Sequence, residues 1–303
     1  MQTNWKLGLG FSLITALMWG LLPLSLQVVL EDMDPLTVSW YRFSVSALIA
    51  LAWYGATSGS ALKGLLSAGH RPWALAAALG LSANYLLYIW GLGYTTPGAA
   101  QLLIQLAPLL LLVGSVFLFR EPFSLWQWLG VFGVTVGMLL FFSPRMADGM
   151  DNGPDYATGV WQLIAASAAW SVYGLAQKKL LLRFHTKHIL LFLCLAGTFI
   201  LLPLAEPSQV LRLDRAELAV LAFASLNTIV AYGCFGLAMS HWQASRVSAI
   251  IPLAPLLTLL FTAAFNHWGI MAVRAEPMNW LSGVGALLVV GGAALAALPR
   301  QRA

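Results

Sequence analysis

Apolar residues along the 303-residue chain gather into ten runs, at about 8–30, 35–55, 72–93, 97–118, 125–143, 158–182, 187–204, 216–238, 244–266 and 279–298. Each run is close to the ~20 residues that carry a helix across ~30 Å of hydrocarbon. Polar positions punctuate the gaps, as in EDMD at 31–34 and SPRMADGMDNGPD at 143–155. The ~10-residue alternating segments of a transmembrane β-barrel are missing. The pattern predicts an all-α membrane protein of ten transmembrane helices. The first run is too long for the 7–15-residue core of a secretory signal, carries Trp19 and Pro23, and has no small-x-small cleavage site after it, so it is read as the first helix.

Composition agrees. Hydrophobic residues make up 60% of the chain and charged residues 9%, against about 45–50% and 25% in ordinary globular domains. So few charges cannot cover a water-exposed surface, whereas a bilayer removes that requirement. The net charge of +5 is explained by its distribution rather than by a nucleic-acid partner. With the N-terminus in the cytoplasm, eleven Lys and Arg fall in inside segments, four in outside loops, and Arg42 within the second helix. Lys/Arg bias sets orientation, which predicts both termini on the cytoplasmic side of the inner membrane. Cys194 and Cys234 lie within apolar runs as buried small hydrophobes, and no metal or other cofactor is implied.

A second regularity lies above the helices. IQLAPLL at Ile104–Leu110 recurs as IPLAPLL at Ile251–Leu257, 147 residues later. Gly8 matches Gly159 and Trp19 matches Trp170 at an offset of 151; Glu121-Pro122 matches Glu276-Pro277, Gly130 matches Gly285 and Gly137 matches Gly292 at 155. The growth of the offset across Asn266–Ala275 reads as a loop insertion. The chain therefore divides into a five-helix repeat at 1–145, an extracytoplasmic linker at 146–157 and a second five-helix repeat at 158–303. Because five is odd, the repeats are inverted relative to one another, a recurrent build for secondary transporters. The proline phrases mark equivalent positions in helices four and nine. Proline frees a backbone carbonyl, which makes Pro108, Pro252 and Pro255 candidate hinges beside a cavity, or simple kinks in packed helices. Glu121 and Glu276, each followed by proline, are read as helix caps.

These residues resemble the EamA-type transporters of the drug/metabolite transporter superfamily. The resemblance rests on Ala16-Leu-Met-Trp19 with Ser167-Ala-Ala-Trp170, Tyr41-Arg42-Phe43, and the paired Glu-Pro with following glycines, and it spans nearly the whole chain. It implies a ten-helix bundle that exports small metabolites, often amino acids, through a cavity lined by helices one, three, four, six, eight and nine. Helix seven, which starts Thr186-Lys-His where helix two starts Pro35-Leu-Thr, departs from the repeat.

Polar residues inside lipid-spanning helices are expensive and mark non-lipid surfaces. Helical spacing puts Trp19, Pro23 and Gln27 on one stripe, Asn84 with Tyr88, Gln101 with Gln105 and Pro108, Trp170 with Tyr173 and Gln177, and Asn227 with Thr228 and Tyr232. Amides, hydroxyls and indoles with little fixed charge suit a small polar or zwitterionic solute. Asn and Gln also glue helices together, so helix packing is the competing reading for each amide. Arg42 lies about 10 Å from the outer interface by helical rise. It either attracts a substrate carboxylate or plays a structural or gating role, and the family's Arg-Phe across many substrates favours the latter. Arg246 opens helix nine, where the positive-inside rule accounts for it.

No Asp or Glu lies deep within a predicted helix, which argues against proton-coupled antiport of cationic drugs, although aromatic rings can bind an organic cation and export of aromatic or cationic drugs stays an alternative. A nucleotide-sugar carrier would want several basic residues facing the cavity. A membrane enzyme is disfavoured because neither H-E-x-x-H nor G-x-S-x-G occurs. The expected partners are a small-molecule solute and the lipid bilayer, with no nucleic acid, in a monomer or homodimer.

Overall fold

The computed structural model describes residues 5–119, 124–143, 153–241, 247, 250–270 and 273–296, and its regular structure is helical throughout. The helices are α1 (Trp5–Val29), α2 (Pro35–Tyr54), α3 (Gly59–Leu65), α4 (Arg71–Tyr94), α5 (Pro97–Leu103), α6 (Leu106–Phe119), α7 (Leu125–Phe141), α8 (Gly153–Leu180), α9 (Thr186–Leu201), α10 (Arg215–His241), α11 (Ala254–Trp268) and α12 (Trp280–Ala296). Five stretches are long and apolar enough to cross a bilayer: Trp5–Val29, Pro35–Thr57, Arg71–Tyr94, Arg215–Phe235 and Ile251–Trp268.

Two local differences from the sequence pattern have clear causes. The run at 97–118 is broken at Ile104–Gln105, because Pro108 lacks the N–H that would bond the Ile104 carbonyl; Ala107 N donates there instead, at 2.9 Å. The second proline phrase forms a 3₁₀ turn at Ile251–Leu253 before α11 begins, with Pro255 in its first turn. The recurring phrase thus encodes an interrupted helix in each half. The short helix α3 was not foreseen, and α8 begins within the expected linker.

The Glu-Pro caps also need correction. α12 is capped by Asn279, whose Oδ1 accepts from Ser282 N at 2.9 Å, while Glu276 is buried elsewhere. α7 is capped by Ser124 in a reciprocal box with Gln127, at 2.8 and 3.3 Å. Glu121 lies outside the described residues.

The packing has a regular plan. α4 packs on α8, α1 on α10, α7 on α12, α2 on α9, α6 on α8, α1 on α11, α2 on α10 and α4 on α9. Exchanging each predicted span for the one five later turns α4–α8 into α10–α1, α6–α8 into α11–α1 and α2–α10 into α9–α4. The α2–α9 and α7–α12 pairs return to themselves.

The α7–α12 crossing carries the plan down to single atoms. A Cβ added to Gly130 would stand 2.6 Å from the Gly292 carbonyl oxygen, and one on Gly292 2.8 Å from that of Gly130. Gly137 and Gly285 meet in the same reciprocal way, at 2.7 and 2.5 Å. Contacts that fall along one helix as they rise along the other make the pair antiparallel. Small residues let two backbones approach where lipid removes any hydrophobic drive for helices to associate.

Gly137→Leu should therefore separate α7 from α12 and lower the thermal unfolding midpoint in detergent, by an overpacking cost of about 1–3 kcal/mol. Gly291→Ala, with nothing within 4 Å of the new methyl, should leave the midpoint unchanged.

Candidate transport site

α1 carries Pro23, which has no N–H to give the Trp19 carbonyl. The structure fills that vacancy from another helix: Gln101 of α5 donates its Nε2 to Trp19 O at 2.5 Å. The flanking carbonyls are used likewise. Asn227 of α10 donates to Met18 O at 2.6 Å, and Thr258 of α11 donates to Gly20 O at 2.7 Å. Three consecutive carbonyls of α1 thus anchor three different helices. A Cβ on Gly20 would meet Leu257 Cβ at 2.9 Å, so glycine is what lets α11 reach this point.

The aromatic residues gather beside this hub. The Trp19 ring meets Tyr232 edge-on at 5.6 Å and Phe235 at 6.0 Å. Tyr232 also interacts with the Trp170 indole, and Trp170 packs edge-on against Tyr173 at 5.9 Å. Tyr232 therefore bridges the two tryptophans that the repeat places at matched positions. Trp19, Trp170 and Tyr232 keep accessible surface in the middle of their helices, while Tyr173 is buried.

The other candidates divide. Asn84 is buried and donates to Ala166 O at 2.9 Å, tying α4 to α8. Tyr88 is buried in a cluster with Leu26, Leu92 and Leu163. Gln105 is buried at the α5–α6 break. The Asn227 Oδ1 is buried and has no hydrogen-bond partner among the described residues. Pro252 and Pro255 are buried, whereas Pro108 is exposed. Arg246 lies outside the described residues.

Gln27 sits away from the aromatic group. Its Oε1 accepts from Arg274 N at 3.2 Å and its Nε2 donates to Thr95 O at 3.4 Å. Arg274 also donates through Nη1 to Gly93 O at 2.9 Å. Two residues on, the buried Glu276 carboxylate accepts from Thr96 Oγ1 at 2.5 Å and from the Tyr156 hydroxyl at 3.1 Å. The segment at 273–276, which runs from the end of the insertion into the repeat-matched Glu276, straps together the neighbouring ends of α1, α4, α5 and α8.

Arg42 is buried, with 3% of its surface exposed. Its Nε donates to Ala224 O at 3.3 Å and its Nη2 to Thr228 Oγ1 at 3.4 Å, and the guanidinium lies 4.3 Å from the centre of the Tyr85 ring. The Tyr85 hydroxyl donates to the same Thr228 oxygen at 3.2 Å and also interacts with Tyr232. Sequence spacing missed Tyr85 and Thr258, because a lone aromatic or hydroxyl residue has no periodic partner. Pro23, by contrast, announces an orphan carbonyl one turn back. A separate apolar pocket of about 270 Å³, lined by Leu21 of α1, Phe223 of α10 and Phe265 of α11 among others, offers little polar chemistry.

The hub has a direct test. Gln101→Leu leaves the Trp19 carbonyl unpaired and should cost about 1–3 kcal/mol of stability. With Pro23→Ala, whose N–H can bond that carbonyl, the same substitution should cost clearly less, so thermal unfolding of the two single variants and the double variant should be non-additive.

Comparison with known proteins gives the site its context. A transporter of Haemophilus influenzae, itself uncharacterised, is 36% identical over 295 residues, which cover 96% of this chain and 95% of that protein. The uncharacterised inner membrane transporter YhbE of Escherichia coli is 36% identical over 306 residues, 98% of this chain and 93% of that protein. A solved crystal structure 23% identical in sequence superimposes with a TM-score of 0.66, covering 98% of this chain and 97% of that one, which supports the fold. The EamA-like transporter family matches residues 6–143 and 157–298, and the chain belongs to that family as a multi-pass inner membrane transporter.

Proposed function

We propose that the protein exports small polar metabolites, amino acids among them, by alternating access through a site between Trp19, Trp170 and Tyr232. In this reading ten helices span the inner membrane as two inverted five-helix repeats, with both termini cytoplasmic. The observation that carries it is the Tyr232 bridge between repeat-matched tryptophans, on partly accessible rings at mid-helix depth. Flat aromatic faces with a hydroxyl between them suit a small solute with an apolar body and a polar end.

Three further observations support the reading. The reciprocal Gly130–Gly292 and Gly137–Gly285 contacts are what a two-fold axis between the halves produces, since each patch then meets its own counterpart. Both proline phrases coincide with helix interruptions, where a rocking half has somewhere to bend. Relatives at lower identity include the aromatic amino acid exporter YddG of Ancylobacter novellus and a probable terminal-alkyne amino-acid exporter of Streptantibioticus cattleyicolor, at 27% and 29%. A carrier of nucleotide sugars fits less well, because Arg42 is the one buried Lys or Arg among the described residues.

Proteoliposomes loaded with a mixed pool of amino acids and small metabolites provide the test. Mass spectrometry should find one chemical class released selectively, and Trp19→Ala and Trp170→Ala should each slow that release by about tenfold, the worth of one stacked aromatic contact. Retention of the whole pool, with and without a pH gradient, would sink the proposal.

A further inference from the structure

Two turns far apart in the chain meet at one end of the bundle. The α3–α4 turn and the α8–α9 turn are joined through Phe184: its ring meets His70 edge-on at 5.1 Å, and a Cβ added to Gly64 would stand 2.9 Å from its Cε1. Beside them, Ser58 Oγ and His188 Nδ1 are 2.8 Å apart. Ser58 gives its one proton to the Tyr54 carbonyl at 2.7 Å, so it accepts from His188 and ties the start of α9 to the end of α2.

Each of these contacts has a basic neighbour in sequence. Lys63 precedes Gly64, Arg71 follows His70, Arg183 precedes Phe184 and Lys187 precedes His188; all four are exposed, as is Lys179 on the last turn of α8. The described Asp and Glu all lie at the opposite end, at 31–34, 155, 206–217 and 276, where α2 and α8 begin and α4 and α9 end. Orientation by charge requires only that Lys and Arg be numerous on one side; it does not require two distant turns to be packed together. Gathering like charges without a nearby carboxylate is unfavourable, and a bound anion offsets it. Leu66 and Leu182, 53% and 71% exposed in the same two turns, leave apolar surface next to the charges. Charge beside apolar surface matches the boundary where lipid headgroups meet acyl chains.

We propose that this platform between the α3–α4 and α8–α9 turns is a docking site for an anionic phospholipid. Its phosphate is held among Lys63, Arg71, Arg183 and Lys187, and its acyl chains run along Leu66 and Leu182. In the orientation proposed above the platform faces the cytoplasmic leaflet, and the lipid holds a turn of the first repeat to a turn of the second. The inference needs a membrane protein but no particular transported solute.

Native mass spectrometry of the purified full-length chain, titrated with phosphatidylglycerol or with phosphatidylcholine of the same acyl chains, provides the test. The wild type should retain phosphatidylglycerol about tenfold more tightly, since each surface Lys or Arg adds to the attraction for anionic lipid, and its thermal midpoint should rise with that lipid alone. Lys179→Gln, Arg183→Gln and Lys187→Gln together should bring the preference to within about twofold. Arg212→Gln with Arg215→Gln, exposed at the acidic end, should leave it unchanged. Should the triple variant not fold, Lys63→Gln with Arg71→Gln should lower the preference by about threefold or more. Glycerol phosphate at the concentration of the lipid should displace nothing. Equal retention of the two lipids, a preference that survives neutralisation of either turn, or an equal loss from the Arg212 and Arg215 pair would overturn the proposal. So would displacement by glycerol phosphate, which would mark a site for a soluble anion.

Discussion

The Trp19 carbonyl, orphaned by Pro23, is the point on which the bundle turns. A buried acceptor without a donor costs about as much as a lost hydrogen bond to a protein whose net stability is small. Gln101 meets that need, and in doing so α5 is brought to the middle of α1. Asn227 and Thr258 secure α10 and α11 to the carbonyls on either side. With three helices fixed to one short stretch of a fourth, the Trp19 ring has little choice but to face Tyr232 and Phe235.

This hub makes the two halves unequal within a symmetric frame. The position that matches Pro23 at the offset of the tryptophans is Gly174, which has the N–H that proline lacks. Helix pairings and the glycine crossing of α7 with α12 respect the exchange of halves; the hydrogen bonds at the centre do not. The strap at 273–276 is a second asymmetry, joining helix ends of both halves through Gln27, Thr96 and Tyr156.

Amides illustrate how one residue type serves two ends. Asn84, Gln101 and Asn227 spend donors on carbonyls of neighbouring helices, the role of polar residues as glue. Asn227 keeps its buried Oδ1 without a hydrogen-bond partner among the described residues.

The sequence by itself determined the helical class, the positions of the apolar segments, the repeat and the family resemblance, because these follow from hydrophobic length, from spacing and from matched residues along one chain. It also selected Trp19, Trp170 and Tyr232, whose helical stripes are visible without coordinates. Only the tertiary structure decided that Gln27 belongs to the strap, that Glu276 is buried against Thr96 and Tyr156 instead of capping α12, and that Tyr85 shields Arg42. Each of those depends on which residues of distant helices meet, and a periodicity reports the face of a helix without naming what packs against it.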